Sequence, residues 1–111
     1  MIEPYTALCI QNTNFCVRTQ EDIQKNLDLI CEVIDHSHYT KIEYPVRLIC
    51  IPEAGIQSFV DSQMDWEHTE AARKLFNTTV PGPETEVLSK KARELGAYIC
   101  GQLRAKEPEI S

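Results

Sequence analysis

Apolar and polar positions follow two periods along this chain, and the switches between them mark its elements. Val46, Arg47, Leu48, Ile49, Cys50 and Ile51 form a run of β-favouring residues with Pro45 before it and Pro52 after it. A short apolar run between breakers reads as a buried strand, because proline cannot donate to a ladder. Thr6 to Gln11, centred on Ala7, Leu8, Cys9 and Ile10, reads as an earlier strand that runs into the polar loop Asn12, Thr13, Asn14. Ala97 to Leu103 predicts a third strand. Between the first two, Ile23, Leu27, Ile30, Cys31 and Ile34 recur at helical spacing. Thr19 with Asp22 three residues on forms a capping box, with Asp in place of the usual Glu or Gln, and the helix ends near His36 to Tyr39.

A later helix opens at Pro83, where a missing N–H is harmless, with Glu84 and Glu86 in its first turn near the positive end of the dipole. Leu88, Ala92 and Leu95 line its buried face, Lys90, Lys91 and Arg93 sit toward its end, and Gly96 supplies a left-handed stop. Residues 54–65 show no sustained period and read as a loop with room for one helical turn. Residues 67–76 carry a short helical pattern, and Thr79 to Pro83 reads as a rigid connector. The order strand, helix, strand, short helix, helix, strand predicts a layered α/β protein with right-handed crossovers, three strands and two to three helices. Strands so uniformly apolar call for cover on both faces. The helices cover one face, and the other needs a layer that this chain hardly provides.

Composition bounds the reading further. At 111 residues, 42% hydrophobic and 25% charged, the chain has the length and make-up of one folded domain. No apolar stretch reaches membrane-spanning length, and Met1 to Pro4 lacks the basic and apolar pattern of a signal peptide, so the expected compartment is the cytoplasm, with no membrane partner. A net charge of −6 with scattered Lys and Arg argues against nucleic acid. Cys9, Cys16, Cys31, Cys50 and Cys100 include no C-x-x-C pair. Cys9, Cys50 and Cys100 in the strands and Cys31 on the helix stripe read as small core hydrophobes, reduced in a cytosolic setting.

Candidate chemistry centres on Glu53. In open α/β sheets functional groups sit beyond the carboxyl ends of strands, and Glu53 follows Ile51 and Pro52 at such a place. On pattern alone the alternative is a solvated loop carboxylate. His36, His38 and His68 lack metal-ligand spacing, so no metal is expected. The separated Gly55, Gly82, Gly96 and Gly101 form no phosphate loop, which leaves a nucleotide or flavin cofactor without support. Asn77-Thr78-Thr79 fits a glycosylation pattern that reads as a chance match.

Ile51-Pro52-Glu53, followed by Val80-Pro81-Gly82-Pro83-Glu84-Thr85, then Leu88, Ala92, Arg93, Glu94, Leu95, Gly96 and the strand Tyr98-Ile99-Cys100-Gly101, resembles the amino-terminal part of the nitrilase, or carbon-nitrogen hydrolase, superfamily. The resemblance covers residues 5–108 and leaves 109–111 as a tail. It implies the amino-terminal portion of an α-β-β-α sandwich and a Glu, Lys and Cys mechanism acting on amides or nitriles. In that mechanism Glu53 is the general base, first for the thiol and then for water. It also implies that Phe59 and Trp66 border the substrate pocket and that the complete enzyme is a homo-oligomer. No lysine or cysteine here stands in the family's other motifs, so the chain alone is expected to be inactive. The alternative is a non-catalytic half-domain that docks a complementary half or self-associates through its uncovered sheet face. A flavodoxin-like domain would need five strands, and the pattern supports three.

Overall fold

A computed structural model describes residues 2–13, 15, 17, 19–39, 43–58 and 79–105. Their elements run β1 (Thr6–Cys9), α1 (Gln20–Tyr39), β2 (Val46–Cys50), α2 (Pro83–Leu95) and β3 (Tyr98–Cys100). The strands form one parallel sheet in the order β1-β2-β3. Chain order and spatial order coincide, so two crossovers of the same hand place both helices on one face. The helices touch each other there, and Lys91 of α2 bonds Asp35 of α1 at 2.9 Å.

The strands are shorter than the apolar runs that encode them. One further ladder bond follows each of two strands, from Ile10 N to Cys50 O and from Ile51 N to Cys100 O, both 2.9 Å, before the chains diverge. Gln11 and the Gly101–Leu103 stretch, read as strand, therefore lie outside the sheet. The short helix expected over 67–76 falls outside the described residues.

Helix α1 starts as its cap predicts. Asp22 N donates to Thr19 Oγ1 at 3.3 Å, and Thr19 N donates to Asp22 Oδ2 at 3.1 Å, so Asp completes the reciprocal box. Its buried stripe is Ile23, Leu27, Ile30 and Ile34, with Asn26 among them. These residues pack on Ile10, Ile49, Ile51 and Ile56 to form the core. Helix α2 has Pro83 in its first turn and stops at Gly96, whose φ of 62° is the left-handed conformation that glycine adopts without steric cost. Its Leu88, Ala92 and Leu95 are only partly buried, so α2 covers the sheet less completely than α1.

Register and period determine the other face. Leu8, Ile49 and Ile99 are paired across the sheet and point toward the helices. Ala7, Leu48 and Tyr98, with Cys9, Cys50 and Cys100, therefore point away. Tyr98 is 81% exposed there, and Cys9 and Cys100 are exposed. This corrects the reading of the strand cysteines as core residues: an apolar run cannot say which of its alternate positions a helix will cover. No helix among the described residues is long and apolar enough to cross a membrane.

Candidate functional site

Glu53 stands exposed just past the carboxyl end of the central strand β2. Pro52 ends the ladder because it lacks an N–H, and the chain folds at once into a tight turn over residues 53–57. Gly55 N bonds Pro52 O at 3.1 Å and Ser58 N bonds Ala54 O at 2.9 Å. Ala54 and Ser58 both take positive φ, 57° and 60°. Gly55 is required by space. A Cβ there would lie 3.0 Å from both Ile51 Cγ2 and Pro52 O.

The turn after Glu53 is buried, unlike an ordinary surface loop: Ala54, Gly55, Ile56, Gln57 and Ser58 are all enclosed. A buried loop must have its backbone groups satisfied from elsewhere, and three separate segments supply the partners. From the β1–α1 loop, Asn12 Nδ2 reaches Gly55 O at 3.5 Å. From α1, Asn26 Nδ2 donates to Ile56 O at 2.9 Å. From the segment after β3, Gln102 Oε1 accepts from Ala54 N at 3.1 Å, and Arg104 Nη1 donates to Ser58 O at 2.8 Å. Gln57 and the Arg104 backbone exchange two further bonds, at 3.0 and 2.7 Å. The carboxylate thus projects from a rigid mount.

The proline boundary sets Glu53 just past β2, where the structure has it, and the pattern of residues alone missed the mount. Asn26 was legible in principle, because it falls three residues after Ile23 on the buried stripe, where a polar residue needs a reason. It is fully enclosed, and it also ties the Phe15 backbone, accepting from Phe15 N at 2.7 Å and donating to Phe15 O at 3.1 Å. Gln102 and Arg104 carry no such signal, since nothing local marks them as loop partners. Phe59, Trp66 and His68 lie outside the described residues. His36 and His38 occupy the last turn of α1.

The described lysines are all helical. Lys25 is on α1, and Lys90 and Lys91 are on α2. Hydrogen bonding to Asp35 holds Lys91 above its ordinary range against a smaller opposing effect of burial, and Glu94 adds a second contact at 3.3 Å. On the neighbouring face of α1, burial raises the Cys31 thiol, partly offset by Lys91. Among the described residues no three His, Cys, Asp or Glu side chains are placed to hold a metal ion. A half-open apolar groove of about 370 Å³ lies on the helix side, lined by Ile56, Leu88, Ala92, Ile99 and Leu103 among others. Glu84, at the start of α2, is buried with Oε2 unpartnered.

No family model matches the chain. Over 98% of its length it is 31% identical to a formamidase of Bacillus cereus strain Q1, of which it spans 31%. Over 84% it is 32% identical to a formamidase of Bacillus cereus strain B4264, and 31% identical to one of Bacillus anthracis strain CDC 684 / NRRL 3495, spanning 25% of each. The chain therefore spans between a quarter and a third of the length of the curated relatives it matches.

Proposed function

We propose that this chain is the amino-terminal part of a carbon-nitrogen hydrolase that acts on small amides, formamide among them, and that Glu53 is its general base. The observation that carries the reading is the placement of Glu53. It is an exposed carboxylate beyond the central parallel strand, on a turn bonded from three directions. The similarity to proteins named formamidase supports the choice of substrate class. Glu53 takes the proton of a cysteine thiol as the sulfur attacks the amide carbon, passes it to the amide nitrogen so that ammonia leaves and a thioester remains, then takes one from the water that attacks the thioester and returns it to the departing thiolate. A lysine ammonium stabilises the oxyanion that forms between these steps. No lysine or cysteine in the sequence stands in the motifs that supply the other two groups in the carbon-nitrogen hydrolases it resembles, so these 111 residues alone are expected to release no ammonia from formamide.

The test is ammonia release by the longest polypeptide whose reading frame contains this sequence, with and without Glu53→Gln. The expected loss in kcat is on the order of 10²-fold or more, the usual contribution of a positioned base. Undiminished turnover in the variant refutes the role of Glu53, and absence of any amide hydrolysis by the wild type refutes the function. The open sheet face favours a second reading, a half-domain that binds a complementary layer. A concentration-independent monomer with cooperative unfolding would count against it.

A further inference from the structure

The face of the sheet turned away from the helices carries a row of thiols. Cys9 pairs in register with Cys50, and Cys50 pairs with Cys100, on adjacent parallel strands. The Cys100 thiol donates to Cys50 Sγ at 3.3 Å. Cys100 is exposed and Cys50 half-buried, so reagents can reach the pair. The strand residues one layer back on this face, Leu48 and Tyr98, are uncharged.

Two thiols this close usually suggest a disulfide, and the backbone argues against one. Neighbouring strands lie about 4.8 Å apart, and side chains of register partners in a parallel pair project in the same direction, whereas a disulfide needs its Cβ atoms about 3.8 Å apart. Bond formation would pinch the ladder by about an ångström next to the Ile51 N to Cys100 O bond, which already measures 2.9 Å. A single soft atom bridging the two sulfurs has no such cost, because it bonds both while they keep roughly their present separation.

We infer that Cys50 and Cys100 form a chelating dithiol site for a soft, thiophilic centre of the trivalent arsenical class. The reaction is condensation without redox change. The oxygen of an arsenoxide leaves as water with the two thiol protons, and two arsenic–sulfur bonds form. Softness selects thiolate ligands over the oxygen and nitrogen donors elsewhere on the surface. The second bond forms within the molecule, which strengthens the adduct well beyond that of a single thiol.

The probe is phenylarsine oxide, added to the 111-residue protein kept reduced with a phosphine and read by intact mass. A one-to-one adduct should survive a large excess of the monothiol glutathione and be released by a dithiol. Cys50→Ser and Cys100→Ser should each weaken it by about 10²-fold, the loss expected when chelation becomes single attachment. Cys9→Ser and Cys31→Ser should leave it unchanged. An adduct that survives both Cys50→Ser and Cys100→Ser overturns the assignment, as does one abolished by Cys9→Ser. Treatment with diamide should yield no peptide pair joined through Cys50 and Cys100, and ready formation of that disulfide refutes the geometric argument.

Discussion

Replacing Asn26 by Leu keeps the branched heavy-atom shape of a fully buried side chain, with bulkier methyl groups, and removes its three hydrogen bonds. The groups left behind are Phe15 N, Phe15 O and Ile56 O. The bond to Ile56 O is buried, so its loss carries the full penalty for an unsatisfied carbonyl, about 1–3 kcal/mol. The two bonds to Phe15 are only part-buried and water can replace them in part, so about 1 kcal/mol each is a fair figure. Leu regains some of this by burying apolar surface, and the net expectation is a loss of about 2–4 kcal/mol, a large share of the stability of a small domain. Urea unfolding followed by far-ultraviolet circular dichroism measures it, with an unchanged slope showing that the transition is still the same one. Asn26→Asp separates the contributions, because it keeps the acceptor for Phe15 N, loses both donors and buries a charge, and it should be at least as damaging as Leu. If Asn26→Leu costs less than about 1 kcal/mol, well below the penalty expected for the stranded groups, the mount beneath Glu53 does not depend on this residue and the reasoning fails.

The upward shifts of Cys31 and Lys91 mean that the folded state holds both protons more tightly than the unfolded chain. The contribution of these two groups should therefore be constant below pH 9.0 and be lost as pH rises, first through Cys31 and then, above 10.5, through Lys91; urea midpoints between pH 7 and 11 test this, and a rise across the alkaline range contradicts it. Lys91→Met should flatten the upper part of that decline. Gly96→Ala should cost about 1–2 kcal/mol from backbone alone. Its Cβ would meet Arg47 Nη1 at an ordinary 3.7 Å, and Gly96→Asn should recover part of the loss in the same unfolding assay.

What the sequence determined by itself is local. Thr19 and Asp22 specified the start of α1, Pro83 and Gly96 bounded α2, and Pro45 and Pro52 fixed the limits of β2, because caps and breakers act over a few residues. Pro52 also fixed where Glu53 would emerge. Tertiary structure decided what periodicity cannot encode. A period of two says that alternate strand residues part company, and only the placement of both helices on one face says that Ile49 is buried and Cys100 exposed. The mount of Glu53 is of the same kind: Asn12 and Asn26 stand far in sequence from Gln102 and Arg104, and they meet only because parallel strands bring their carboxyl ends to one end of the sheet. Hydrogen bonds to a buried turn are satisfied by whatever the fold brings within reach, and that is a property of the packed chain.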